Sequence, residues 1–137
     1  MSKPLNECGY GYICGVTGQV QGICPKGWHL PSADEWNLLV NAVGGGTSAG
    51  VSLRSTSGWN SSNGTDAYGF NALPGGYKLS GNGTYWNEGD KALFWSSTEM
   101  DTNGSYILFL NLYNETNPYS SDWKDNYLSV RCVMNEE

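Results

Sequence analysis

The sequence predicts a single α+β domain, with two helices early, antiparallel strands late, and disulfides as staples. Three observations carry this expectation. One amphipathic helix is written between residues 32 and 43, with both ends marked. From Gly58 onward, Asn-Gly turn dipeptides separate short apolar runs. Four cysteines stand in a chain of 137 residues that also holds 19 Gly and 9 Tyr. An even cysteine count in a small chain of this kind points to two disulfides and an oxidising compartment.

Residues 1–21 read as an N-terminal hairpin or extension, with Cys8 and Cys14 enclosing a short loop. The first helix starts at a capping box, Ser32-Ala33-Asp34-Glu35. There the Ser32 hydroxyl caps the Glu35 amide and the Glu35 carboxylate reaches back. Trp36, Leu39, Val40 and Val43 then recur on one helical face, and Gly44-Gly45-Gly46 stops the helix. This predicts a helix over 33–43 with those four side chains buried. A weaker helix is expected from Ser48 to Arg54. Strands are expected at Tyr68–Leu73, Ala92–Ser96, Tyr106–Tyr113 and Tyr127–Val133. Turns are expected at Asn63-Gly64, Asn82-Gly83 and Asn103-Gly104. No linker or internal repeat divides the chain, so 1–137 reads as one domain.

The formal net charge is −6, and seven basic residues are scattered along the chain. Nucleic acid and anionic membrane surfaces need clustered Lys and Arg, so neither is an expected partner. No run is long enough for a transmembrane helix. Met1-Ser2-Lys3 leads into no apolar stretch, so no signal peptide is expected at this start; the chain reads as a mature domain or one cut from a longer protein.

The chemistry of an enzyme is not expected. His29 is the sole histidine and reads as a structural residue just before the helix. No nucleophile elbow, zinc-protease motif, phosphate loop or calcium-binding EF-hand loop is present. The carboxylates Asp66, Glu88, Asp90 and Glu99 read as solvated surface rather than a glycosidase pair. No metal and no cofactor is expected, because Cys132 stands apart from the other cysteines and zinc sites need paired ligands. Five glycosylation sequons, beginning at Asn60, Asn63, Asn82, Asn103 and Asn114, read as turns.

A binding surface is expected late in the chain. Between Glu99 and Tyr127, 15 of 29 residues are Asn, Tyr, Ser or Asp. Tyr gives rigid contact area at low entropic cost, and Asn and Ser give adaptable hydrogen bonds. In the run Tyr106–Tyr113, strand alternation puts Tyr106, Leu108, Leu110 and Leu112 on one side, the better core face. Ile107, Phe109, Asn111 and Tyr113 fall on the other, expected to be exposed. The expected ligand-binding set is therefore Met100, Asp101, Asn103, Ile107, Phe109, Asn111, Tyr113, Tyr119 and Trp123.

Several strings together resemble one family. They are Cys24-Pro-Lys-Gly-Trp-His-Leu-Pro-Ser32 with Glu35-Trp36, then Ser55-Thr-Ser-Gly-Trp59 and Asn63-Gly-Thr-Asp-Ala-Tyr-Gly-Phe-Asn-Ala-Leu-Pro-Gly-Gly-Tyr77. Phe94-Trp-Ser-Ser-Thr-Glu99 and Ser129-Val-Arg-Cys-Val133 complete the set. They are similar to the Fibrobacter succinogenes major paralogous domain over about residues 22–134. That family occurs in secreted and lipid-anchored bacterial proteins and is grouped with C-type-lectin-like folds, alongside formylglycine-generating enzymes and the variable proteins of diversity-generating retroelements.

The resemblance implies two helices, twisted antiparallel strands and neighbouring termini. It also implies that Cys24 pairs with Cys132, leaving Cys8 with Cys14. The calcium-sugar motifs of calcium-dependent lectins are missing, and Trp86-Asn87-Glu88 is only a partial echo of one. The retroelement proteins vary in their C-terminal part, which here corresponds to Met100–Asn126. The expected function is an extracytoplasmic module (secreted, cell-surface or virion-surface) that binds a protein or glycan. A structural or assembly domain is the alternative, and an enzyme of the formylglycine-generating type is the third class.

Overall fold

A computed structural model describes residues 10–15 and 18–136. Cys8 lies outside the described residues, so the expected Cys8–Cys14 pairing does too, as does most of the expected N-terminal hairpin. Nine elements follow: β1 (Trp28–His29), α1 (Ala33–Ala42), α2 (Gly46–Leu53), β2 (Tyr77–Lys78), β3 (Tyr85–Trp86), β4 (Lys91–Glu99), β5 (Gly104–Asn111), β6 (Thr116–Trp123) and β7 (Val133–Met134). The class is α+β, with all paired strands antiparallel.

Both arms of the capping box form. The Glu35 amide donates to Ser32 Oγ at 3.1 Å, and the Ser32 amide donates to Glu35 Oε1 at 3.2 Å. Two bonds then fix the start of α1 to β4: the Ala33 amide to Thr98 Oγ1 at 3.0 Å, and the Ser97 amide to the Pro31 carbonyl at 2.8 Å. Trp36, Val40 and Val43 are buried as expected, whereas Leu39 is only half-buried at the margin of the core. Helix α2 begins two residues earlier than expected, at Gly46.

The central sheet has the order β4-β5-β6. Both helices pack on one of its faces, where Trp36, Val40, Leu53, Phe94, Leu108 and Leu110 share one core. A second core lies on the opposite face: Leu93, Trp95, Ile107 and Leu128, with Tyr77, Phe109 and Val130 packed against it. The irregular chain after β6 covers that face. Ser129 holds it to β4, with the Trp95 amide donating to its carbonyl and its own amide donating to Leu93, each at 3.1 Å. Strand β4 is therefore buried on both sides, which explains its unbroken apolar run.

Two expected strands are largely irregular. Tyr68–Leu73 contributes only one isolated bridge, Arg54 to Ala72. Gly69 and Asn71 adopt positive φ within it, and Asp66 does so just before it, a backbone that breaks the pleat. Tyr127–Val133 makes isolated bridges from Tyr127 to Lys78 and from Ser129 to Phe94, and reaches a regular strand only at its end, in β7. Strand β6 was not expected at all. Its sequence, Thr-Asn-Pro-Tyr-Ser-Ser-Asp-Trp, lacks the alternation of a half-buried strand. It is tolerated because β6 is the sheet edge, where Pro118 sits in a register shift and needs no ladder donor.

The Cys24–Cys132 disulfide forms, with Cα atoms 5.9 Å apart, beside the β1–β7 pair that joins early and late chain. In the chain-entropy model a loop of this length stabilises by about 4–5 kcal/mol.

Candidate functional site

The ninefold expected binding set splits into three groups. Met100, Asp101, Asn103 and Trp123 come together with Gly104, Ser121 and Asp122 around a hollow of about 300 Å³ at the β4–β5 turn. This happens because Trp123, the last residue of β6, pairs across the ladder with Gly104. Gly104 puts no side chain opposite the indole across the ladder, and the indole stays 56% exposed. A Cβ on Gly104 would meet Met100 Cε at 3.1 Å and the Asp122 carbonyl at 3.3 Å, so glycine is what lets Met100 fold over the turn. Asp101 Oδ1 accepts from the Asn103 amide at 2.8 Å and the Gly104 amide at 2.7 Å, which fixes the turn itself.

Tyr113 and Tyr119 are exposed but lie elsewhere. Tyr113 stands at the β5–β6 turn, beside a separate depression with Thr47 and Asn114. Tyr119 faces the helices: its hydroxyl donates to Asp34 Oδ1 at 2.7 Å and its ring meets Tyr106 edge-on.

The expected exposure of the remaining three is corrected. Ile107 is 1% exposed in the second core. Phe109 is half-buried beneath Lys91, whose Nζ lies 5.4 Å from its ring. Asn111 is buried and caps the β5–β6 turn, accepting from the Tyr113 amide at 2.9 Å and the Glu115 amide at 3.0 Å. The face parity was right, since Leu108 and Leu110 are core. The opposite face is simply covered as well.

A second hollow, of about 320 Å³, shares Trp123 as a wall. Its other lining includes Tyr10, Ser80, Asn82, Asp125 and Asn126. Tyr10 and Trp123 are in ring contact, with centroids 5.9 Å apart and planes tilted by 48°. Asp125 and Asn126 belong to the Asn- and Asp-rich stretch, but nothing local links Tyr10, Ser80 or Asn82 to it in sequence.

Tyr10 is held there by a buried ion pair. Lys124, wholly buried, donates to Glu99 Oε1 at 2.7 Å and to the Tyr12 carbonyl at 2.8 Å. The Cys14 amide also donates to Glu99 Oε1, at 2.7 Å, and the Gly11 amide donates to the Thr102 carbonyl at 2.8 Å. Residues 10–15 thus form a strap across the end of the sheet. Burial works to raise the Glu99 pKa, but Lys124 and the amides of Cys14 and Gly15 outweigh it and hold the carboxyl below its usual range. Asp122 goes the other way. Desolvation pushes its pKa up and the charge of Asp125 adds to this, against hydrogen bonds from Asn126 and the Trp123 amide.

His29 is buried between two acceptors, Asn135 Oδ1 at 2.7 Å from Nδ1 and Glu35 Oε2 at 2.9 Å from Nε2. Desolvation lowers its pKa, yet the contacts with Glu35 and Asn135 win and raise it. Asp66 and Asp90 accept from the Asn71 amide and the Asn60 side chain, each fixing a loop. Among the described residues no group of three or more His, Cys, Asp or Glu is placed to hold a metal ion. Likewise, no described helix is long and apolar enough to cross a membrane.

A third concavity, about 410 Å³ and mainly apolar, lies between α1 and β7. Trp28, Leu38, Phe70 and Met134 line it, with Glu35 and Arg131 at its rim.

Comparison with known proteins gives one match. No curated protein and no solved structure matches the chain. The family model described as the Fibrobacter succinogenes major domain matches residues 2–134, extending the expected span through the N-terminal strap. With nearly the whole chain matched, this protein belongs to the Fibrobacter succinogenes major domain family.

Proposed function

We propose that the chain is an extracytoplasmic, non-catalytic ligand-binding module of C-type-lectin-like fold, and that it binds through the surface centred on Trp123. The single observation that carries this reading is the position of Trp123. A large aromatic residue, more than half exposed, forms a wall of two adjoining hollows with Tyr10 against it. Interface energy concentrates in such aromatic anchors when polar neighbours surround them. Asp101, Asn103, Ser121, Asp125 and Asn126 supply that polar surround.

The compartment is supported by the Cys24–Cys132 disulfide, which persists in oxidising surroundings. The fold assignment is supported by two early helices, a late antiparallel sheet and the β1–β7 closure beside that disulfide. Met100, Asp101 and Trp123 carry exposed side chains of the site at the β4–β5 turn and the end of β6, where substitution disturbs packing least. That suits a surface varied between copies, as in retroelement-diversified proteins.

The alternative is a structural or assembly domain, and the groove of Trp28, Leu38 and Met134 favours it. Arrayed glycans and purified cell-surface proteins, probed with the full chain and its variants, separate the two. A ligand lost with Trp123→Ala and kept with Leu38→Asp supports the binding module. Concentration-dependent self-association abolished by Leu38→Asp, with no ligand lost through Trp123→Ala, supports assembly.

A further inference from the structure

Resting on the reading of Trp123 as the centre of the binding surface, we infer that its partner is a protein presenting a basic segment, with an arginine laid on the Trp123 indole and its charge met by Asp101, Asp122 and Asp125. Trp123 lines both hollows. Asp101 and Asp122 line one and Asp125 the other, and no Lys or Arg is among the described lining residues of either. An exposed indole with carboxylates around it attracts a cation in two ways, through the ring face and through charge.

The chain does not answer these carboxylates itself. The ion pairs among the described residues are His29–Glu35 and Lys124–Glu99, so none of the three has a cation against it there. The neighbouring lysines are engaged elsewhere. Lys124 is turned inward, with its amino group on Glu99 and the Tyr12 carbonyl. Lys91 lies on the Phe109 ring, and Lys78 lies 5.5 and 5.6 Å from the Tyr85 and Tyr127 ring centres. Lys91 is the weakest of the influences on Asp122, whose charge is made costly by desolvation and by Asp125, so an arriving cation relieves a cost that the free protein bears. Internal bonds also fix two of the carboxylates before a partner arrives. Asp101 Oδ1 holds the Asn103 and Gly104 amides, and Asp122 Oδ1 holds the Trp123 amide and the Asn126 side chain.

The arrangement also selects the kind of cation. Among the described residues no three acidic groups converge closely enough to hold a metal ion. Charge spread around a ring suits a guanidinium, which stacks its plane on the ring while its edge N–H groups reach several acceptors. The chain uses this pairing internally. Arg54 lies over the Trp59 ring, 5.0 Å from its centre, and donates to the Gly50 and Ser62 carbonyls and to Asn114 Oδ1. Arg131 lies 4.4 Å from the Phe70 ring centre and donates to the Phe70 carbonyl at 2.6 Å. Each needs one ring face with acceptors at its edge, and the Trp123 surface offers the same parts to a partner. The hollows, about 320 and 300 Å³, leave room for the neighbours of that arginine, which favours a chain segment over a lone small cation. The net charge of −6 draws a basic partner in before contact.

The test is titration of the full chain, by calorimetry and by the indole N–H signals, with a capped Gly- and Ser-based peptide carrying a pair of arginines. Matched peptides replace arginine by citrulline, which keeps the shape without the charge, or by lysine. Tetramethylammonium and Ca²⁺ serve as small cations. The arginine peptide is expected to bind and to move the Trp123 indole. Citrulline should weaken binding at least about tenfold, and lysine about threefold. Trp123→Ala should weaken it about tenfold and Trp123→Phe less. Asp101→Asn combined with Asp125→Asn should weaken it about fivefold, and salt raised to about 0.3 M should weaken it further. Tyr113→Ala should leave it unchanged, and circular dichroism of each variant checks the fold. Equal binding of the citrulline peptide, lost with Trp123→Ala, would overturn the ligand class and leave the Trp123 surface standing. Tighter binding of tetramethylammonium or Ca²⁺ at the same indole would overturn the protein segment in favour of a small cation. Arginine binding that survives Trp123→Ala, or that moves Trp28 instead, would overturn the surface reading too. Failure of the arginine peptide to bind at millimolar concentration would overturn the inference, while the array of glycans and cell-surface proteins still tests the surface.

Discussion

On the helix side of β5, Leu108 and Leu110 meet Trp36, Val40 and Leu53, residues delivered by two hydrogen-bonded helices. On the other side, Ile107 and Phe109 meet Leu93, Trp95 and Leu128, and the cover is irregular chain. The first cover carries its own backbone hydrogen bonds. The second depends on a few anchors: Ser129 on β4, the Lys78–Tyr127 bridge, and Lys124 on Glu99. Two equally dry faces are thus held by different physics. The irregular chain that covers the second face runs on directly from Trp123, the last residue of β6, at the end of the sheet. A binding surface made there can change its side chains while the helix-side core is left alone.

The largest expected effect tests whether the far face is true core. Trp95 has no exposed surface. Trp95→Ala should cost about 3–5 kcal/mol by lost transfer and a retained cavity, measured by urea denaturation. A loss below about 1 kcal/mol would mean the loop cover collapses freely and is not packed.

Next comes the anchor of that cover. Lys124→Met leaves Glu99 buried with only backbone donors, and should cost about 3 kcal/mol. The companion double variant Lys124→Met with Glu99→Leu should recover part of that loss, since no unpaired charge remains. Equal loss in both would mean that packing of the strap, rather than charge, holds residues 10–15.

The pH dependence is smaller, and its sign follows from two opposite shifts. His29 has a raised pKa, so its contribution is complete below its ordinary value near 6.5 and fades as pH rises through the folded value. Glu99 has a lowered pKa, so its contribution is complete above about 4.5 and fades as pH falls through the folded value. Both are fully present between about pH 4.5 and 6.5, where thermal stability should peak. Glu99→Gln should flatten the acid limb and leave the alkaline limb unchanged, as followed by melting temperature. Asp122, with its raised pKa, acts oppositely to Glu99: its charge is a growing cost as pH rises from about 3.8 through the folded value.

What the sequence disclosed tracks how local each signal is. The capping box, the Trp36–Val43 stripe and the turns at Asn82-Gly83 and Asn103-Gly104 are written within a few residues, and each forms, whereas Asn63-Gly64 makes no turn and its Asn63 Oδ1 accepts from the Trp59 amide. Alternation told which residues of β5 share a face, because that is a property of the pleat. It carried no information about whether a face is covered, because Leu128 and Tyr77 arrive from elsewhere in the chain. Strand β6 was hidden by its polar edge composition. The candidate site was half legible. Met100, Asp101, Asn103 and Trp123 stood out by composition, whereas Tyr10 joins them only through bonds such as Gly11 to Thr102.

The smallest expected effect is the sharpest contrast with Trp95. Trp123→Ala should change stability by less than about 0.5 kcal/mol, because the indole is already more than half in water. A loss comparable to Trp95→Ala would make Trp123 a structural residue.

The most direct measurement follows the side-chain indole N–H signals of the six tryptophans by NMR while the full chain is titrated with a ligand it binds. Trp123→Phe assigns the signal of interest. The account predicts that the Trp123 indole shifts most, and that the buried Trp36, Trp59 and Trp95 indoles stay in place. A titration that moves Trp28 and leaves Trp123 unmoved would contradict it and transfer the site to the groove between α1 and β7.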